Sequence, residues 1–226
     1  RRLEDEWDGV YDDEELAGTW AALERCPTGS LGRLVWEFYR ARGFSFPGQP
    51  GSAPPLLAQH DWIHVIADYG STVESEIEVF GLIARADDDP HAFSLLASVL
   101  SLFETGRLER ATIFEHDPSH ISRDSARMAV RLADAMRRGA IVGEHFGGRD
   151  LLAVDWFEYA ALPVDEVRTH IGMPPKSPDA LAAGSVGPWE LGGISEFQLA
   201  LGQHAAADRS EPYDSHGAAV LPPTPT

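Results

Sequence analysis

The sequence predicts an all-α fold built as a single helical domain. Apolar residues recur at the spacing of a helix face, as Leu16, Trp20 and Leu23 do near the start of the chain. The alternation of apolar and polar residues that a half-buried β-strand needs is missing. At 226 residues, 43% of them hydrophobic, the chain is long enough and apolar enough to bury a sizeable core.

Three segments are expected along the chain. Residues 1–13 are strongly acidic and predict a flexible N-terminus, and residues 14–173 predict the helical domain. Residues 174–226, rich in Pro, Gly and Ala, predict a loosely ordered and mostly irregular C-terminal extension. Five hydrophobic residues within that extension predict one short piece docked on the domain: Trp189, Leu191, Ile194, Phe197 and Leu199.

The first two helices are bounded by residues that start or stop a helix. Acidic residues from Asp12 onward favour the N-terminus of the first helix, and Pro27 ends it. Residues 28–30 can cap the second helix, which ends at Gly43. Residues 44–55 contain four prolines and therefore predict a loop across the surface.

The remaining helices follow from apolar periodicity between turn signals. We expect them at six further places: residues 56–67, 72–85, 91–104, 122–139, 149–158 and 163–170.

The helix predicted over residues 56–67 carries two histidines and an aspartate. His60 and His64 are four residues apart, so they lie on one face about one turn from each other, and Asp61 precedes His64 by three residues. A Gly-Ser turn and an antiparallel helix would return Glu76 towards them. Two imidazoles and two carboxylates are a ligand set for a divalent metal ion. The spacing alone leaves open a hydrogen-bonded His–Asp pair or a solvated helix face.

The net charge of -18 argues against nucleic acid as a partner, because so acidic a surface repels phosphate. It also disfavours basic anchoring to anionic lipids, so any contact with the periphery of a membrane would be hydrophobic. The longest uncharged apolar run, residues 92–103, is shorter than the roughly 20 residues that span a bilayer. Cys26 is the single cysteine and no signal-peptide pattern opens the sequence, so we expect a cytoplasmic protein.

The order of these features resembles the ubiquinone (coenzyme Q) biosynthesis family called Coq-four. The signature of that family is HDxxH, eleven residues and Glu, and His60, Asp61, His64 and Glu76 stand at this spacing. Upstream, residues 27–33 (PTGSLGR) are similar to the P-x-G-T-L-G-R opening of the family.

Downstream, Phe157-Glu158 and residues 167–172 resemble the aromatic-Glu and V-R-x-x-x-G-I elements that end the family pattern. The resemblance covers roughly residues 16–173. The chain departs from the pattern at residues 68–71, where it has Asp-Tyr-Gly-Ser instead of Gly-Met-Pro-Thr, and residues 174–226 have no counterpart.

The resemblance implies an all-α protein with a divalent metal ion, typically zinc, held by His60, Asp61, His64 and Glu76; iron and magnesium are the alternatives. It implies decarboxylation and hydroxylation of a prenylated aromatic acid of the hydroxybenzoate type, or of a related quinone-pathway or secondary-metabolite substrate. It also implies a homodimer, peripheral membrane contact and an assembly with other biosynthetic enzymes.

Two other functions are weighed against this one. A scaffold or lipid-presenting protein would hold a structural metal, closed by four protein ligands, whereas a catalytic metal keeps an open position. A metallohydrolase is suggested by the likeness of HDxxH to the HExxH motif of zinc peptidases, but Asp61 is one methylene shorter than the general base Glu. The enzyme hypothesis predicts a hydrophobic tunnel lined by Trp62, Phe80 and residues 92–103.

Overall fold

The computed structural model describes residues 12–87, 89, 91–105 and 124–219, and this part of the chain is all-α, as predicted. The described residues contain no β-strand, and their isolated β-bridge joins Ser30 to Pro163. Nine α-helices follow one another along them: α1 (Glu14–Ala21), α2 (Leu31–Arg42), α3 (Pro55–Ala67), α4 (Val73–Ala86), α5 (His91–Thr105), α6 (Ser125–Phe146), α7 (Val164–His170), α8 (Pro178–Ala182) and α9 (Glu196–Asp208). Short 3-10 helices lie at Ala22–Arg25 and Trp156–Tyr159.

Helices α2, α3 and α4 have bounds within about a residue of the prediction, and local capping signals set those of α2 and the start of α4. Ser30 caps α2 by accepting from the backbone N–H of Arg33, and Gly43 ends it in the left-handed conformation at φ 69°. Thr72 caps α4 through the N–H of Ser75. These caps satisfy backbone groups that a helix end leaves without partners.

Helix α3 lies at the centre of the fold. Every residue from 60 to 67 is buried, which is what a helix with apolar residues on all sides requires. Trp62 packs against Trp20 and Phe157 in the main aromatic core, with ring centroids 5.4 Å and 5.1 Å away. The central position of α3 carries its polar residues into the interior.

Helix α6 is longer than predicted because its glycines are packing residues. The sequence favoured an end at Gly139, but the helix continues to Phe146. A Cβ on Gly139 would lie 2.2 Å from the carbonyl oxygen of Leu82, and one on Gly143 would lie 2.7 Å from that of Ala86. The two glycines therefore let α6 approach the backbone of α4 closely.

The helix predicted over residues 149–158 is wrong for most of that range. The chain there forms turns, and only Trp156–Tyr159 is helical, in the 3-10 form. Asp155 caps this element by accepting from the N–H of Phe157, which limits how far a helix can extend backward.

The C-terminal segment is bound to the core by buried polar contacts. The guanidinium of Arg42, a fully buried side chain, donates to the carbonyl oxygens of Pro188 at 3.0 Å and Gly193 at 2.9 Å. Gln198, also fully buried, donates from Nε2 to the carbonyl oxygen of Ser71 at 3.0 Å and accepts from the Ser71 hydroxyl at 2.6 Å.

The loose order expected from residue 174 onward stays a prediction, and residues 174–219 make more contacts with the domain than the one short docked piece expected. These residues are mostly irregular in secondary structure, as expected, yet they complete the hydrogen bonds of a buried arginine, which composition could not reveal. The predictions for residues 1–11 and 220–226 lie outside the described residues. Among the described helices, none is long and apolar enough to cross a membrane.

Candidate metal centre

Three of the four predicted ligands form one buried cluster on α3. His60, Asp61 and His64 each offer a ligand atom, and these atoms all lie within 4.8 Å of one another. The three residues are only 4%, 6% and 0% exposed. They are the group among the described residues that has the composition and spacing to hold a metal ion.

Glu76 returns to this cluster from α4, as the sequence predicted. Its Oε2 atom lies 3.2 Å from Nε2 of His60 and 3.2 Å from Nε2 of His64. The Nε2 atom of His60 also lies 3.5 Å from Oδ1 of Asp61. Because Glu76 is in the first turn of α4, the short connection after α3 is enough to bring it there.

The backbone fixes which nitrogen of each imidazole faces the cluster. Nδ1 of His64 lies 2.6 Å from the carbonyl oxygen of Gly70, and Nδ1 of His60 contacts the carbonyl oxygen of Leu57. A carbonyl oxygen only accepts, so Nδ1 carries the proton in both rings. Each Nε2 is then left to bind a proton or a metal ion beside the Glu76 carboxylate. Metal-binding histidines commonly have this arrangement.

Aromatic side chains surround the ligands. Phe38 stacks on the His64 ring and Phe80 on the His60 ring, with centroid distances of 5.4 Å and 5.2 Å. The hydroxyl of Tyr39 on α2 donates to Oδ2 of Asp61. Tyr39 was not predicted from the sequence because it lies in the apolar stripe of α2, where its hydroxyl is the single sign of a polar role.

The titration properties of the cluster follow from burial and mutual attraction. Burial alone lowers the pKa of His60, but the carboxylates of Asp61 and Glu76 outweigh that effect and raise it to about 9. Burial alone raises the pKa of Glu76, but the neighbouring His64 and His60 outweigh that effect and hold this pKa well below its usual range. Burial raises the pKa of Asp61, and it raises the pKa of Tyr39 with a further contribution from Asp61. The carboxylates therefore favour positive charge between them.

Three separations between ligand atoms, His60–Glu76, His64–Glu76 and His60–Asp61, are close to those around a small tetrahedral ion. Zinc bonds of about 2.0–2.1 Å in a tetrahedron place neighbouring ligand atoms roughly 3.3 Å apart. The corresponding separations here are 3.2 Å, 3.2 Å and 3.5 Å. Two imidazoles with two carboxylates suit zinc or iron better than magnesium, which prefers oxygen ligands and keeps several waters.

Hydrophobic residues adjoin the His60 side of the cluster. Phe80 belongs to a group with Leu96, Leu57, Val99 and Leu100 from α3 and α5. Trp62, predicted to line a tunnel, instead packs into the main core. Two surface clefts of about 370 Å³ and 400 Å³ lie elsewhere, along residues 149–159 and beside the end of α6.

No protein-family model, curated protein or solved structure compared with this chain matches it.

Proposed function

We propose that the protein is a metal-dependent enzyme of the Coq-four type. It binds one divalent ion, zinc first, through His60, Asp61, His64 and Glu76. Its substrate is a prenylated aromatic acid of the hydroxybenzoate type or a related quinone-pathway or secondary-metabolite compound. The observation that carries the proposal is the convergence of two Nε2 atoms on one Glu76 oxygen, 3.2 Å from each.

The cluster without a metal ion has an electrostatic conflict that an ion would remove. With both Nδ1 atoms donating to carbonyl oxygens, two Nε2 lone pairs face a carboxylate oxygen unless each ring is protonated. Two protonated imidazoles whose ring centroids are 5.2 Å apart would repel each other in the interior. One divalent ion supplies the same positive charge and bonds both nitrogens.

The surroundings of the ligands suit a hydrophobic aromatic acid. A bound divalent ion would polarise carboxylate and phenolate oxygens and stabilise negative charge that develops on the ring. Decarboxylation breaks the bond between the ring and the carboxyl carbon, leaves the electron pair on the ring carbon and ends when that carbon takes a proton. The apolar group around Phe80 and Leu96 would bind the prenyl chain and exclude water. Hydroxylation needs dioxygen and electrons, which zinc does not supply.

A second function has one specific observation in its favour. The four ligands are at most 6% exposed, and four protein ligands can close the coordination of zinc. A structural metal of this kind would fit a scaffold or lipid-presenting protein that organises biosynthetic enzymes, as a homodimer or within a larger complex.

Metal content by mass spectrometry tests the site itself. We expect about one zinc or iron per chain in the wild-type protein and loss of that metal from a His60→Ala/His64→Ala variant that keeps its helical circular dichroism. The matched control is His204→Ala, which removes an exposed histidine whose Nε2 lies 3.5 Å from Asp208, four residues on. Equal metal in all three proteins, or none in any of them after reconstitution, would contradict the proposal.

Cobalt substitution separates the two roles of the metal. Addition of a hydroxybenzoate to the cobalt protein should change its visible spectrum if the ion keeps an open position, and release of carbon dioxide from a prenylated hydroxybenzoate should then depend on Glu76. An unchanged spectrum together with no turnover would favour the structural role. Peptidase or phosphatase turnover abolished by His64→Ala would instead support a hydrolase.

A further inference from the structure

A second buried polar cluster lies on the other side of α4 from the metal centre. Glu78 follows Glu76 by two residues, so it points roughly 200° away around the helix. It pairs with Arg131 of α6, and both Glu78 and Arg138 of α6 act electrostatically on Lys176 from the segment after α7. All four residues are buried, with exposures between 0% and 9%.

Two of these cations, Arg138 and Lys176, lie over the aromatic ring of Tyr69. The guanidinium carbon of Arg138 lies 4.8 Å from the ring centroid, and Nζ of Lys176 lies 5.3 Å from it. Arg131 donates to Oε2 of Glu78 at 2.7 Å. Because Arg131 and Arg138 are seven residues apart, they lie on the same face of α6, two turns from each other.

Donors without partners outnumber acceptors without partners in this region. The buried atoms without a hydrogen bond include three that only donate, Arg131 Nε, Arg138 Nη1 and Lys176 Nζ, and one that only accepts, Glu78 Oε1. The hydroxyls of Tyr69 and Ser185, which can donate or accept, are also without a hydrogen bond. Ser185 adjoins Val186, whose carbonyl oxygen binds the N–H of Gly70, next to Tyr69. Buried polar groups normally have partners, so this excess of donors points to a missing acceptor.

Two buried carboxylates, Glu78 and Asp134, face three buried cations, and the exposed Glu190 also acts on Lys176. Glu78 pairs with Arg131, and Asp134 is occupied by Arg137 and by the N–H of Ser177. Asp68 pairs with Lys176 only at 3.5 Å, and its side chain is 46% exposed. Arg138 donates from Nε to the carbonyl oxygen of Pro174 at 2.9 Å, and no carboxylate of the described residues pairs with it, in a chain whose net charge is -18.

We propose that this cluster is a binding site for one small oxyanion of the size of phosphate. The anion would accept from Arg138 Nη1, Lys176 Nζ and the Tyr69 hydroxyl, and the partly exposed Asp68 would swing away from Lys176 to admit it. Arginine and lysine donors around an oxyanion form strong charge-assisted hydrogen bonds. Bound water could satisfy the same donors but would leave the excess of buried positive charge uncompensated. The proposal does not depend on the metal site.

Thermal unfolding of the full chain in a metal chelator tests the site, with phosphate compared against chloride at equal ionic strength. At about one hundred times its Kd, phosphate should raise the unfolding midpoint by roughly 5–10 °C. Lys176→Gln should weaken phosphate binding by roughly 10- to 100-fold, and Tyr69→Phe by a smaller factor. The matched control is Arg127→Gln on α6, whose side chain is 58% exposed and paired with Asp124, and it should bind phosphate normally.

Equilibrium dialysis with labelled phosphate checks the result without any variant, and it should give about one phosphate per chain. No saturable binding to the wild-type protein would overturn the proposal. Equal binding by Lys176→Gln and the wild type would also overturn it. Loss of phosphate binding in the His60→Ala/His64→Ala variant alone would place the anion at the metal centre instead. Metal binding without phosphate binding would leave the proposed function standing and remove this site.

Discussion

The hydrogen bond from Tyr39 to Asp61 offers the sharpest test of how the candidate metal centre is built. Tyr39→Phe removes one oxygen atom and keeps the ring, so the packing of that ring with Phe46 and Trp20, at centroid distances of 5.3 Å and 5.4 Å, is preserved. Asp61 Oδ2 then loses the donor that orients it.

The expected loss follows from burial. Tyr39 is 2% exposed and Asp61 6%, so bulk water cannot readily replace the missing donor. Groups that orient a metal ligand typically contribute 10- to 100-fold in metal affinity, which corresponds to about 1.4–2.7 kcal/mol. In the metal-free protein, the unpartnered carboxylate oxygen should lower the free energy of unfolding by about 1–3 kcal/mol.

Competition with a chromophoric zinc chelator measures the Kd of each variant. Tyr213→Phe is the matched control, because its hydroxyl donates to the carbonyl oxygen of Ala41 at 2.8 Å and does not contact the four ligands. A Tyr39→Phe protein that binds zinc within twofold of the wild type would refute the orienting role. An equal loss in both variants would show that the effect is general destabilisation.

Three further predictions concern pH, helix packing and the C-terminal helix. Zinc affinity should rise by up to about tenfold per pH unit as pH increases towards 9, because zinc displaces the proton that His60 binds with a pKa of about 9; titrations at several pH values check the sign. Gly139→Ala should lower the free energy of unfolding in urea by about 1–3 kcal/mol, because its Cβ would meet the α4 backbone at 2.2 Å, whereas Gly18→Ala has open space and should not destabilise. Gln198→Ala should lower the free energy of unfolding in urea by about 1–3 kcal/mol, because it loses its hydrogen bonds to Ser71 in the turn after α3. Gln203→Ala, at an exposed position, should lower it by under about 0.5 kcal/mol. Similar losses for the two variants would contradict a packed C-terminal segment.

Features that depend on neighbouring residues were predictable from the sequence. Ser30, Thr72 and Gly43 are capping residues whose contacts lie within one helical turn, so the residue type itself predicts where a helix begins or ends. The approach of His60 to His64 is likewise fixed by helix geometry. The return of Glu76 needed only a short turn and an antiparallel helix, which the sequence also indicated.

Features that join distant residues were not predictable in this way. Tyr39 meets Asp61 across 22 positions, and Arg131 meets Glu78 across 53. A glycine destabilises an isolated helix, so Gly139 predicts a helix end. Only the close backbone of α4 makes it a packing residue inside α6.

The sequence by itself therefore determined the helical class, the helix bounds near strong caps and the spacing of four potential metal ligands, because each depends on local geometry. The tertiary structure decided that those ligands are buried, which nitrogen of each imidazole faces the cluster, and that the C-terminal segment supplies two of the partners of Arg42. Burial and partner choice depend on which helices pack together. That packing is set by the surfaces of the whole chain, so no short stretch of sequence contains it.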